Sequence, residues 1–209
     1  MALHASGLLE PRKTSVQTRS TATVEAIFEA TIQVLLREGT DRLTTTRVAE
    51  RAGVSVGTLY QYYPNKHSLL FAVIERHLNH VMAAVERACV EQRHQPLGSM
   101  VDAVVQAFVD AKLKHKDVSV ALYGVSTESG AEAVVAKLTK RARNAMSAML
   151  KTAPEARFPE IDFTVFMFLA AISGATRAVL EAGASQKMVE NLRTHLVLLG
   201  KSYLNSTAK

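Results

Sequence analysis

The sequence has one cysteine, Cys89, and no tryptophan in 209 residues. A single thiol cannot close an intramolecular disulfide, so packing must hold the fold, and a reducing cytoplasm is the expected setting. Glycine and proline are scarce, at 10 and 5 residues, which excludes collagen-like order and a loop-dominated disordered chain. Long apolar runs are missing as well. The longest, Phe163 to Ile172 interrupted by Thr164, falls far short of the roughly 20 residues that cross a bilayer, so no membrane span is expected. No basic, then apolar, then small run opens the chain, and no secretory leader is expected. Alternating strand patterns with hairpin turns, and repeats of fixed period, are also lacking. What is there is a chain 48% apolar and 21% charged, long enough to bury a substantial core.

The formal charge of +6 points to an anionic partner without identifying it, because nucleic acid, lipid surfaces and plain solubility all favour basic chains. The charge is also spread out. Residues 1–66 carry 8 Lys/Arg against 6 Asp/Glu, and residues 67–209 carry 17 against 13. The functional argument therefore rests on local patterns.

Those patterns are helical throughout. Residues 1–19 show no apolar period and are expected to be a disordered tail carrying Arg12, Lys13 and Arg19. From Ser20 to Glu38 the apolar positions Val24, Ile27, Phe28, Val34 and Leu35 recur at helical steps, with Gly39 as the stop. Two short helices follow, one after Thr44 to Thr46 and one from Ser55 to about Tyr62. Asn65 then opens a long helix reaching roughly Arg93. Pro96 begins another, with Leu97, Val101, Val104, Val105, Phe108 and Lys112 on its stripe. A short turn is expected at Val118 to Tyr123. The next helix, of about 20 residues, has a solvated basic side at Lys137, Lys140, Arg141 and Arg143. Ile161 to about Ala182 is apolar nearly all round and needs cover on both sides, whereas Ser185 to Tyr203 carries a stripe of Val189, Leu192, Leu196 and Leu199. The expected fold is all-α, with about nine helices.

Residues 44–66, TTTRVAERAGVSVGTLYQYYPNK, have the parts of a helix-turn-helix. Ala49 and Ala52 let the paired helices approach, Gly53 supplies a positive φ at the turn, and Val54 with Leu59 fills the angle between the helices. The second short helix then exposes its N-terminal residues, the end that a recognition helix presents to base edges in the major groove.

The run Val48-Ala49-Glu50-Arg51-Ala52-Gly53-Val54-Ser55, then Gly57-Thr58-Leu59-Tyr60, then Tyr62-Tyr63 and Asn65-Lys66 ahead of Leu69-Leu70, resembles the DNA-binding domain of the TetR family of transcriptional regulators. The resemblance covers residues 20–75 in detail, and the rest only in helix count, order and length. It implies a helix-turn-helix DNA-binding domain over residues 20–66 and a larger helical ligand-binding and dimerisation domain over residues 67–209. The implied activity is repression of a nearby gene until a small hydrophobic or amphipathic ligand releases the operator; no enzyme motif is present. The resemblance places Thr45, Tyr62 and Lys66 on phosphates, and Val56, Gly57, Thr58, Tyr60 and Gln61 towards bases or the sugar-phosphate wall. Ser55, at the head of the same helix, joins that contact set. Arg47 is a further phosphate candidate. Gln61 matches adenine, and Val56 with the Thr58 methyl matches thymine methyls. His67 stands where the family commonly has an acidic residue, which weakens the helix-dipole term there.

The implied partners are a double-stranded DNA operator, expected to be an inverted repeat because one recognition helix spans few bases, and a second copy of the chain. The last two helices are the expected homodimer interface, through Phe163, Phe166, Leu169, Ala170, Leu192, Leu196 and Leu199, with Ser173, Gly174 and Ala175 allowing a close crossing. Phe108, Tyr123, Met146, Met149, Phe163, Met167 and Arg177 are the expected ligand-pocket residues. An apolar cavity with one cation suits an amphipathic acid or an aromatic molecule. No cofactor is implied. The alternative is a metal- or thiol-switched regulator on the same fold, using His77 with His80, or Cys89.

Overall fold

The computed structural model describes residues 13–125 and 132–209, which form nine α-helices and no strand. They are α1 (Lys13–Arg42), α2 (Thr45–Ala52), α3 (Val56–Tyr62), α4 (Lys66–Glu91), α5 (Leu97–Lys114), α6 (Lys116–Val125), α7 (Glu132–Leu150), α8 (Ile161–Glu181) and α9 (Gln186–Thr207). Two compact units divide between Leu69 and Leu70, three residues beyond the expected boundary and inside α4.

In the N-terminal unit, α1 packs on α2 and α2 on α3. Ile27, Val34, Leu35, Leu43, Val48, Ala49 and Leu59 are buried. The expected tail over residues 1–19 needs correction: residues 1–12, Arg12 among them, lie outside the described residues, but residues 13–19 are helical. Neither glycine nor proline stands between Lys13 and Glu38, and extending an existing helix costs far less than starting one. Gly39 ends the regular part of α1 with φ 79 and ψ 177, a combination that is essentially glycine's alone.

In the C-terminal unit, α5 packs on α9, and α8 lies between α7 and α9. The core runs through Val81, Met100, Val104, Met146, Phe168 and Leu204. The expected turn at Val118 to Tyr123 is instead the helix α6, set off from α5 by the non-helical His115. Val118 and Leu122, four residues apart, bury its inner side. Two loop residues take part in capping. Pro96 offers α5 no side-chain cap, and Glu155 accepts the free Leu97 amide at 2.5 Å. Thr152 Oγ1 accepts the His94 amide at 2.8 Å.

The basic side of α7 is not merely solvated. Arg141 grips Glu86 of α4 bidentately at 3.0 and 2.7 Å and donates to Asn79 at 2.8 Å. Arg143 stands over the Phe166 ring. Among the described residues α8 is the one helix long and apolar enough to cross a membrane, at a mean hydropathy of 1.7. In this fold it is instead packed in the bundle, with Val165, Phe168 and Ile172 buried. The cover expected on both sides of α8 is present on one side of the chain only, since Phe163, Phe166 and Met167 are exposed, as are Leu198 and Leu199 of α9.

Candidate nucleic-acid interface and ligand cavity

The turn between α2 and α3 is fixed by hydrogen bonds that the sequence specifies. Thr44 caps α2 by accepting the Arg47 amide at 3.3 Å. At the other end Gly53 is left-handed, with φ 67 and ψ 28. Its amide reaches the Glu50 carbonyl at 3.2 Å and the Val54 amide reaches the Ala49 carbonyl at 3.0 Å, the two bonds of a Schellman motif. Ser55 then caps α3, its hydroxyl accepting the Thr58 amide at 2.9 Å. Leu59 is fully buried and anchors the helix, and Ala49 of α2 is fully buried as well.

With Leu59 inward, residues one and two positions away along the helix are turned roughly 100° to 200° from it and face out. Gly57, Tyr60 and Gln61 are exposed, Tyr60 at 48%, and Val56 and Thr58 are half-buried beside them. These five expected base-side residues therefore share one helix of seven residues, and Gly57 has only the Ser55 hydroxyl near the place its Cβ would occupy. The face is closely approachable.

The expected phosphate contacts are held differently. Thr45 is buried, and its hydroxyl is bonded to the Tyr60 hydroxyl at 3.1 Å, so its side chain positions Tyr60. The Tyr62 hydroxyl donates to Ser20 Oγ at 3.2 Å. The Lys66 ammonium donates to the Thr40 carbonyl at 2.6 Å, just beyond the Gly39 break. Arg47 is paired with Glu38 of α1. An ammonium has three donors and a guanidinium five, so Lys66 and Arg47 retain donors for a phosphate while keeping these partners. The Glu38 and Thr40 contacts carry no local sequence signal. They join residues 9 and 26 apart in sequence. Beside Lys66, Asn65 Oδ1 accepts the Ser68 amide at 2.8 Å and Ser68 Oγ accepts the Asn65 amide at 3.2 Å, a reciprocal cap for α4.

The C-terminal unit contains two adjoining cavities, of about 250 and 210 Å³, that share Met82, Phe108, Thr139 and Ser173. Of the expected pocket residues, Phe108 lines both, and Tyr123 and Arg177 line the larger. Four others are corrected. Met146 and Met149 are fully buried core side chains that line neither cavity, and Phe163 and Met167 lie on the exposed side of α8. A helix apolar all round gives no sign of which side faces inward.

The larger cavity also holds a polar group absent from the expected set: Lys112 and Ser119 with His77. The Ser119 hydroxyl donates to the Lys112 carbonyl at 3.1 Å, one of the last carbonyls of α5, which have no partner within the helix. Its single proton is thereby committed, so His77 Nε2–H donates to Ser119 Oγ at 3.0 Å. Burial first, then the charges of Lys112, His115 and His80, push the His77 pKa down to about 4 and keep the imidazole neutral. Burial pushes the Lys112 ammonium down to about 8. Its charge lies 4.9 Å from the centre of the Tyr123 ring, as does the Arg177 guanidinium. Burial raises the Tyr123 pKa, with Arg177 opposing and Glu181 reinforcing the shift.

The metal and thiol alternative gains nothing from this geometry. Among the described residues no group of three His, Cys, Asp or Glu is placed to hold a metal. Cys89 is buried, and burial first, with Glu86, pushes its thiol up to about 12 against the pull of Arg93, far from a reactive thiolate.

A capped helix-turn-helix with an open second helix, followed by a helical bundle, defines the architecture of a helix-turn-helix transcriptional regulator. Comparison with known proteins agrees. The family described as bacterial regulatory proteins, tetR family, matches residues 27–73, and the tetracyclin repressor-like C-terminal domain matches residues 96–204. The chain belongs to the TetR family, whose members are transcriptional regulators and not enzymes. It is 38% identical over 64 residues to the HTH-type transcriptional repressor KstR of Mycolicibacterium smegmatis, covering 31% of each chain. It is 40% identical over 70 residues to the nucleoid occlusion factor SlmA of Haemophilus ducreyi, covering 33% of each. The chain thus spans about a third of the length of these curated relatives. Among solved structures, a TetR transcription regulator from Haloarcula marismortui superposes with a TM-score of 0.71 at 17% identity, over 90% of this chain and 100% of that one. The TetR-like regulator LfrR of Mycobacterium smegmatis, in complex with proflavine, gives 0.57 at 22% identity, over 85% and 96%.

Proposed function

We propose that this protein is a homodimeric transcriptional repressor, working in the cytoplasm, that binds an inverted-repeat operator through α3 and is released by a small hydrophobic or amphipathic ligand held in the C-terminal unit. The observation that carries the reading is the exposure of Gly57, Tyr60 and Gln61 on a helix whose N-terminus is capped and whose opposite side is anchored by Leu59. That is the arrangement by which a short helix reads a major groove. Arg47, Tyr62 and Lys66 flank it as the phosphate side, Thr45 supports Tyr60 from beneath, and Ser55 and Thr58 lie at the N-terminal end where backbone amides favour an anion. The KstR relative is a repressor, and the proflavine complex of LfrR shows a small molecule bound by a structure of this fold. The exposed apolar side chains of α8 and α9 supply the surface for a second copy, and Gly174 leaves open space beside them.

Ligand release follows as a population shift: ligand favours one spacing of the paired recognition helices and operator favours another, so each must weaken the other's binding by the same factor. The test is selection of bound sequences from random duplex, followed by competition with a library of small apolar and amphipathic compounds. The selected sites are expected to be inverted repeats, with half-site centres about one helical turn apart or slightly more. At least one compound is expected to displace the chain from them. Enrichment of no sequence, or operator binding indifferent to every compound that shifts the melting temperature, contradicts the proposal.

A further inference from the structure

We infer that the paired cavities of the C-terminal unit take a single-chain anionic amphiphile, its carboxylate on the Lys112 ammonium and its hydrocarbon body in the adjoining apolar space; the inference rests on the ligand-responsive reading above and names the chemistry of its ligand.

The argument starts from charge. Lys112 is 5% exposed and lines the larger cavity. Other cations of the same unit have acidic partners: Arg141 has Glu86, Arg177 has Glu181, Arg193 has Asp110 and Lys201 has Asp102. Lys112 is the most deeply buried of these cations, and among the described residues no carboxylate pairs with it. Its contact is with the face of Tyr123. A buried ammonium without a counterion is costly, and a ring face offsets only part of that cost. An anion from solution would supply what the chain does not.

The surroundings leave that role to Lys112. His77 is neutral and its Nε2–H is committed to Ser119, while the Ser119 proton is committed to the Lys112 carbonyl. These groups fix the end of α5 and with it the start of the Lys112 side chain. The second cation, Arg177, lies over the same ring and is partly neutralised by Glu181 four residues on, at 2.8 Å. Among the described residues the charge facing the cavity is therefore positive. A cationic ligand would be repelled, and a neutral one would leave the ammonium unsatisfied.

Shape supplies the other half. Past the shared Phe108 and Met82, the smaller cavity is walled mainly by Val85, Val104, Leu169 and Ile172, and its one charged lining residue, Arg143, is held over the Phe166 ring. Each cavity alone falls below the roughly 300 Å³ at which small-molecule sites begin, and the two together fall within that range. A molecule filling both has one polar end and an apolar body.

The experiment is calorimetric titration of the full chain with three probes of equal chain length: dodecanoate, dodecanol and dodecyltrimethylammonium. Dodecanoate is expected to bind roughly ten- to a hundredfold tighter than dodecanol, the scale of one hydrogen bond to a charged group, with the ammonium probe weakest. Lys112→Met is expected to erase the preference of dodecanoate over dodecanol. The comparison of probes on the unaltered chain stands even if the variant fails to fold. Failure of dodecanoate to bind, equal binding of the neutral or cationic probe, or an undiminished preference in a folded Lys112→Met chain overturns the inference. If a neutral or cationic probe then displaces a selected operator, ligand-responsive regulation survives without the anion. If dodecanoate binds through Lys112 yet leaves the operator bound, the site stands and the release mechanism falls.

Discussion

The double variant Phe163→Glu with Leu199→Glu is expected to sediment as a folded monomer and to lose a hundredfold or more of its affinity for an inverted-repeat operator. In the single chain these two side chains are 60% and 45% exposed, so neither contributes to the core and folding should be retained. Phe166 and Met167 of α8 and Leu198 of α9 are exposed as well. Burying a large apolar side chain contributes about 1.5–3 kcal/mol. In a twofold dimer each position counts twice, so replacing two residues removes several kcal/mol and adds like charges facing one another. Analytical ultracentrifugation at micromolar concentration reads the first effect and operator titration the second. A variant that remains dimeric places the interface elsewhere, and a monomeric unaltered chain at that concentration removes the dimer from the account.

Gly200→Val is expected to lower the melting temperature by about 10 °C, the consequence of a destabilisation of roughly 3 kcal/mol or more in a chain of this length. A Cβ at position 200 would lie 2.5 Å from Phe168 Cε2 and 2.8 Å from Val101 Cγ1. Both neighbours are fully buried, so neither can swing into solvent. The glycine is what lets α9 lie close to α5 and α8. Gly98→Ala is the control: its Cβ would meet only the flexible Lys201 side chain at 3.6 Å, and its effect should stay within about 1 kcal/mol. Equal melting temperatures for the two variants would mean that the helices separate without cost.

The contrast between what is legible in the sequence and what is not follows the distance between partners. The caps at Thr44, Ser55 and Asn65 and the left-handed Gly53 act over three to five residues, and local patterns specify them. Leu59, alone among α3 residues in being buried, sets which side of that helix points out. The pairing of Arg47 with Glu38 and the bond from Lys66 to Thr40 depend on how α1 folds back, and no local pattern carries that. The pocket shows the same division. Periodicity groups Phe108 with Lys112, four residues apart on one stripe, and the cavity contains both. Treating Lys112 as part of the apolar face, rather than as the end of it, is the signal that finds the buried cation. For α8 periodicity is silent because apolar residues occur all round, and it gives no reason to keep Phe163 and Met167 out of an interior that they do not face.

The central claim is that the outward side of α3 reads bases while Lys66 holds backbone, and it is tested most directly by measuring how Gln61→Ala and Lys66→Met bind a set of single-base operator variants over a range of salt. Lys66→Met should weaken every sequence by a similar factor and lower the slope of log affinity against log salt by about 0.9, the share of the one phosphate that Lys66 neutralises. Gln61→Ala should leave that slope unchanged and flatten discrimination at one base position in each half-site. Identical effects of the two substitutions across all sequences, with one common change in salt slope, would contradict the account.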